Sequence, residues 1–180
     1  KISTDDLKPT LSQPKRNTMS ALTQMSLLFL TTDTQVLLGK KKTGFGKGNY
    51  VGIGGRQEAN ETIEQTVVRE CQEEISITPL VFEKAGRLEF LFPHKPHWNQ
   101  EVHVYTSTQW QGEPTNSDEI TPQWFNKNNL PFSEMWSDAP YWLPNILSGE
   151  TLNATFSFTK DLGLESYQIY KGGELLATSN

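Results

Sequence analysis

Between Gly55 and Ile77 the chain places glycine, arginine and acidic residues at intervals that can do chemistry. Five residues separate Gly55 from Glu61, and seven more separate Glu61 from Arg69-Glu70-Cys71-Gln72-Glu73-Glu74-Ile75-Ser76-Ile77. On a helix turning about 100° per residue, Glu70, Glu73 and Glu74 share a face, and Val67, Val68, Cys71 and Ile75 form a neighbouring apolar stripe. Such a helix packs on a core and presents three carboxylates at its margin. Like charges at that spacing destabilise an isolated helix by roughly 0.2 to 0.5 kcal/mol per pair, so something must offset the repulsion. A hard divalent cation does so: magnesium commonly links one or two carboxylates to substrate phosphates. A cation of this kind also turns water into a usable nucleophile near neutral pH. The chemistry implied is metal-assisted hydrolysis of a phosphate anhydride.

Gly55, Glu61, Arg69, Glu70, Glu73 and Glu74 fall on the pattern G-x5-E-x7-R-E-U-x-E-E-x-G-U, where U is apolar, and on these positions the chain resembles the Nudix hydrolases. Cys71 and Ile77 fill the apolar places. Ser76 departs where the pattern has glycine, a change expected to adjust the turn after the helix and leave catalysis intact. The resemblance extends from about Leu27 to Phe158. Leu37-Leu38-Gly39 with Lys41, Gly44-Phe45-Gly46, Glu101-Val102-His103-Val104, Ser117-Asp118-Glu119, Trp124-Phe125, Leu130-Pro131-Phe132 and Met135-Trp136 through Tyr141-Trp142 are similar to the MutT-homologue, 8-oxo-dGTP diphosphatase branch. The resemblance implies an α+β fold, a Nudix-type α/β/α sandwich with a mixed central sheet. It also implies hydrolysis of purine nucleoside triphosphates, oxidised ones such as 8-oxo-dGTP included, to the monophosphate and pyrophosphate, which sanitises the nucleotide pool. Two alternatives are a Nudix hydrolase of another nucleoside diphosphate derivative, such as a dinucleotide or nucleotide sugar, and a non-catalytic nucleotide-binding module. Loss of catalysis would be expected to erode the carboxylates, and all of them are present.

Carried over residue by residue, the resemblance makes Glu70, Glu73, Glu74, Glu119 and the Gly54 carbonyl ligands of Mg2+, with Mn2+ as the alternative. Glu70, Glu74 and Glu119 are the catalytic candidates; Glu70 is favoured as general base, with Glu119 its competitor. Gly55, Glu61 and Arg69 complete the structural motif, and Arg69 is suited to holding carboxylates by ion pairing. Lys41 and Arg56 are candidates for the phosphate chain, and Gly55 is assigned to substrate binding. A purine needs a flat apolar slot with a few polar edge readers, and the resemblance supplies Phe45, Phe90, Phe92, Ile120, Trp136 and Trp142, with Trp136 stacking on the base. The branch has Asn where this chain has Val51 and a second Asp where it has Ala139, so only Asp138 remains of an acidic pair. Val51 offers no side-chain donor or acceptor, which predicts an altered or broader base preference.

These groups need a scaffold. The 180 residues are enough for one domain. Residues 1–18, polar and without periodicity, read as a flexible N-terminal arm, and 19–180 as a single Nudix hydrolase domain. Sixteen Lys+Arg against 21 Asp+Glu leaves a charge of −5, a poor match for a nucleic-acid polymer. The six Glu and one Arg between Glu58 and Glu74 account for all of it. No apolar run is long enough to span a membrane. A single cysteine excludes an internal disulfide framework and makes a reducing, cytoplasmic setting the default. The resemblance implies a nucleoside triphosphate as partner, and the expected state is a monomer or weak dimer.

Strand signals are read at Ala21 to Leu30, Val36 to Leu38, Leu88 to Phe92, Val102 to Tyr105 and Ile120 to Phe125, with Pro122 marking the last as an edge or an early break. A helix is expected from Ala59 to about Ile75, closed by Pro79. A second begins at Ser137 or Asp138 and contains the awkward Pro144. The tail offers strands at Thr155 to Phe158, Ser166 to Tyr170 and Glu174 to Ala177, the last two joined by a Gly172-Gly173 hairpin.

Overall fold

In the computed structural model, which describes residues 21–179, strand β1 (Thr23–Leu30) divides its side chains between two cores. Phe29, with Met25 and Leu27 beside it, enters one; Leu28 and Leu30 enter the other. This period-2 split is what a strand buried on both faces requires. The arm assigned to residues 1–18 lies outside the described residues.

β1 is the edge of a six-stranded sheet ordered β1-β5-β4-β7-β8-β9, with β4 at Thr78–Leu91, β5 at Gln100–Gln111, β7 at Leu152–Phe158, β8 at Leu164–Lys171 and β9 at Glu174–Thr178. β1 runs parallel to β5 and β7 parallel to β4, while the other neighbours are antiparallel, so the sheet is mixed. A separate antiparallel sheet joins β3 (Tyr50–Val51), β2 (Gln35–Lys41) and β6 (Ile120–Asn126), with β2 central. Helix α1 (Ile63–Ile75) places Val67, Cys71 and Ile75 against Leu28, Leu30 and Leu37; helix α2 (Ala139–Leu147) places Trp142, Leu143 and Ile146 against Phe29, Leu88 and Val104. The large sheet thus lies between the two helices, the expected α/β/α sandwich. The strands, however, fall into two sheets rather than one.

Several boundaries differ from expectation, each for a physical reason. α1 starts at Ile63 instead of Ala59 because Thr62 and Gln65 form a reciprocal capping box. It ends at Ser76, whose backbone turns left-handed, and not at Pro79. Pro79 is a buried residue of β4 opposite Trp110, at a register shift where its missing N–H is tolerated. β4 begins ten residues before Leu88 because those bulges interrupt its alternation. Pro122 does lie on an edge strand, β6. Pro144 sits inside α2, where the carbonyl its ring leaves unpaired belongs to the exposed Pro140. Gly172 and Gly173, both at positive φ, make the last hairpin turn. Among the described residues no helix is long and apolar enough to cross a membrane.

The free side of β1 is covered by the loop after β3. Leu28 and Ile53 exchange backbone hydrogen bonds at 2.6 and 2.9 Å, the Ser26 N–H reaches the Gly55 carbonyl at 2.9 Å, and the Gln57 N–H reaches that of Gln24 at 3.0 Å. At Gly54 the two backbones approach so closely that a Cβ would overlap the Ser26 carbonyl oxygen. Gly54→Ala is therefore expected to force loop and strand apart, at about 3 kcal/mol of folding stability. Urea denaturation measures this, and a loss below about 1 kcal/mol would contradict the packing described.

Candidate functional site

Arg69 in the middle of α1 organises the acidic cluster. Its Nε and Nη2 donate to the two oxygens of Glu61 at 3.1 and 2.7 Å, and its Nη1 donates to Glu70 at 2.8 Å and Glu73 at 3.1 Å. Nη2 also donates to the Arg56 carbonyl at 3.0 Å, tying the loop before the helix to the helix itself. Glu61 receives further bonds from the Thr66 hydroxyl and the Glu58 N–H, both at 2.8 Å. The Arg69 guanidinium, and after it the Glu58 N–H, hold the Glu61 carboxyl down to about 2. Arg69 itself is driven further toward its charged form, chiefly by Glu61.

Glu74 is buried and accepts the Gly54 N–H at 3.1 Å. Burial pushes its carboxyl up to about 8 against the pull of that N–H, with the charges of Glu70 and Glu119 adding to the rise and Lys41 opposing it. Glu70 is also raised, first by burial, while Arg69 lowers it and Glu73 and Glu119 raise it. These mutual influences bring Glu119, on the loop between β5 and β6, into the electrostatic field of the helix carboxylates. Glu73 is the most exposed of the helix trio. A Cβ at Gly55 would overlap the Glu70 carboxylate, so glycine is needed for the loop to lie against it. The Gly54 carbonyl takes no hydrogen bond from the described residues.

Among the described residues no three acidic, histidine or cysteine groups converge into a closed cage; Arg69 holds Glu70 and Glu73 instead. The donors themselves suit a hard divalent cation. They are all oxygens, and two are carboxylates, Glu70 and Glu74, that burial holds above their ordinary range.

Next to this cluster opens a cleft of about 250 Å³. Of the residues assigned to substrate, Lys41, Phe45, Val51, Gly55, Phe90, Phe92, Ile120, Trp136, Asp138 and Trp142 line it, as do Gly54 and Glu74. Arg56 does not. Its side chain is exposed, its backbone bridges to Met25, and its carbonyl accepts from Arg69. Phe45 lies with ring centroids 4.9 Å from Trp136 and 4.7 Å from Trp98. Trp98, in a short 3-10 turn, carries the Lys95 ammonium 3.9 Å from its ring centre. Sequence reasoning did not single out Trp98, which packs on Phe45 outside the lining, or the lining residues Met25, Tyr50, Gln100 and Phe158. Alternation along β1 could have signalled Met25; nothing local signals the others.

Trp142 serves the cleft indirectly as well as lining it. Its indole N–H donates to Asp138 Oδ2 at 2.7 Å. Asp138 precedes α2 but makes no side-chain cap; its carboxyl is buried, which pushes it up to about 6. Other charged groups are structural. Lys40 pairs with Glu134 at 2.9 Å, Lys42 donates to the Ser117 carbonyl at 2.6 Å, and His103 bonds Gln24 and Lys84. The Cys71 thiol is buried and pushed up to about 12, which suits a packing role and not a nucleophile.

A family model described as the NUDIX domain matches residues 22–146. The chain is 38% identical over 134 residues to an oxidized purine nucleoside triphosphate hydrolase of Danio rerio, covering 74% of this chain and 85% of that protein. It is 34% identical over 151 residues to the protein of the same name from Mus musculus, covering 84% and 96%. Among solved structures, the crystal structure of a mMutator MutT protein from Bacillus halodurans superposes with a TM-score of 0.71 at 27% identity, covering 82% of this chain and 97% of that one.

The Asp138 carboxyl generates a pH test. Folding raises it from 3.8 to about 6, so the folded protein holds this proton more tightly than the unfolded chain. The associated stabilisation is present below about pH 4 and is lost as pH rises to about 6, a swing on the order of 3 kcal/mol. Asp138→Asn keeps an acceptor for the Trp142 indole and does not titrate. Relative to wild type, the variant should therefore gain stability between pH 4 and pH 7. Urea melts across that range measure the gap, and a constant gap would contradict the burial assigned to this group.

Proposed function

The chain belongs to the NUDIX family, and from that membership we propose that it hydrolyses purine nucleoside triphosphates, oxidised ones such as 8-oxo-dGTP included, to the monophosphate and pyrophosphate. The observation that carries the proposal is the junction of two environments within one cleft. Glu74, Lys41 and the Gly54-Gly55 loop supply polar lining, and Phe45, Trp136 and Trp142 supply aromatic lining. A triphosphate joined to a planar base has that same polarity.

Glu70, Glu73, Glu74, Glu119 and the Gly54 carbonyl would hold the divalent cation, Mg2+ or alternatively Mn2+. When bound, it supplies positive charge that neutralises the phosphate chain and makes water more acidic. Lys41, which faces the cleft and acts on Glu74, adds a second positive charge at the phosphate end. Glu70 accepts the proton of the attacking water, with Glu119 the competing base. Arg69 keeps Glu70 oriented through its Nη1 bond and does not itself reach the cleft lining. At the base end Phe45 and Trp136 offer faces for stacking. The buried Asp138 offers a polar edge.

Val51, on β3, pairs with Gly39 of β2 and reaches the cleft without a polar group, and Ala139 beside Asp138 also lines it without one. Base recognition therefore rests on fewer hydrogen bonds than the branch pattern supplies, which supports a broadened preference. The proposal also takes residues 19–180 as one domain, a monomer or weak dimer, in the reducing cytoplasm that a lone buried cysteine suits.

Pyrophosphate release across normal, 8-oxo, 2-oxo and methylated purine triphosphates with Mg2+ and Mn2+ tests the activity, and no turnover of any of them would sink it. Glu70→Gln should lower kcat by about 100-fold or more. Val51→Asn combined with Ala139→Asp should shift kcat/KM toward oxidised guanine; an unchanged selectivity profile would show the base end to be misassigned.

A further inference from the structure

Ser76, the one departure from the motif, does more than end a helix. Its φ of 60° and ψ of 31° are left-handed, a conformation that glycine adopts without strain and a residue with a Cβ does not. Its N–H closes on the Gln72 carbonyl at 3.2 Å and the Ile77 N–H on that of Cys71 at 3.2 Å, which finishes α1 in a way glycine would serve equally well. The hydroxyl does something glycine could not. Thr115 Oγ1 donates to Ser76 Oγ at 2.8 Å.

Thr115 belongs to the loop that carries Glu119, four residues further on. Its N–H donates to the Ile75 carbonyl at 3.0 Å, and Gly112, at φ 99°, starts the same loop so close to the Ser76 carbonyl that a Cβ there would lie 2.9 Å from the oxygen. The near end of the loop is therefore pinned to the last turn of α1. Its far end is pinned to the residue that follows β2: Lys42 Nζ donates to the Ser117 carbonyl at 2.6 Å and the Lys42 N–H to that of Glu119 at 2.8 Å, while Ser117 Oγ accepts the Glu119 N–H at 3.3 Å.

We propose that Ser76 is a positioning residue. Its hydroxyl, through Thr115, fixes the loop bearing Glu119 against the helix bearing Glu70, Glu73 and Glu74, and so sets the spacing of carboxylates from two separate elements. Left-handed strain at Ser76 is offset by this tie. The inference rests on the reading of Glu119 as a member of the cation set.

Four variants, measured by Mn2+ titration calorimetry and by melting of the metal-free protein as well as by turnover, test it. Ser76→Gly removes the strain with the tie, so it should melt at or above the wild-type temperature yet bind Mn2+ about three- to ten-fold more weakly. Thr115→Val, which leaves the backbone of the helix end unchanged, should weaken Mn2+ binding to a similar degree, and Thr115→Ser should restore it. If Ser76→Gly and Thr115→Val bind Mn2+ as wild type does while Glu119→Gln binds it more weakly, the serine is a helix cap only and the proposal is overturned. If Glu119→Gln leaves both Mn2+ binding and turnover unchanged, the assignment of Glu119 itself fails and the positioning role falls with it.

Discussion

A single guanidinium makes this arrangement of acids possible. Glu61, Glu70 and Glu73 converge on Arg69, and the planar, forked donor geometry of arginine lets one cation serve all three where a lysine ammonium could not. The acids on this one arginine respond in opposite directions. Glu61, gripped through both oxygens, is held low; Glu70, partly buried and held through one oxygen, stays high. The arginine thus separates an acid committed to structure from one left available for chemistry. Glu74, out of its reach and supported by a single Gly54 N–H, is higher still.

From that cluster the geometry propagates through the backbone. Arg69 grips the Arg56 carbonyl, the same loop pairs with β1 from Ile53 to Gln57, and β1 pairs with β5. One continuous set of hydrogen bonds therefore relates the acidic end of the cleft to the large sheet, whose other strands supply Phe90, Val102 and Phe158 to the apolar end. The small sheet contributes Lys41 and Val51 from the opposite side. A cleft shared by two sheets can be polar at one end and aromatic at the other because neither sheet has to furnish both.

What the sequence disclosed, and what it concealed, follows from how local each signal is. The α1 acids were legible because helix spacing alone places them together, and ten of the eleven residues assigned to substrate do line the cleft. Arg56 is the exception: its carbonyl accepts from Arg69, a backbone contact that a residue's type does not announce. Pro79 looked like a helix stop and proved to be a strand residue, since a bulge can absorb a missing donor and sequence does not announce bulges. The separation into two sheets was also hidden. The segments around Leu28 and Val36 both read as strands, but which partners they choose, β5 for one and β6 for the other, is decided by residues some 70 to 90 positions away. Trp98 was concealed for the same reason: its contacts with Phe45 and Phe92 cross between loops.

The position of Cys71 bears on how this molecule tolerates oxidants. Its thiol is buried and pushed up to about 12, which keeps it in the unreactive protonated form. Redox vulnerability passes instead to the thioethers of Met25 and Met135, which line the cleft. Sulfoxide formation there would place a polar S=O among the rings that face the base, while the acidic helix and its buried cysteine stayed intact. Oxidative damage in this fold would thus fall first on substrate recognition and only later on the hydrolytic machinery.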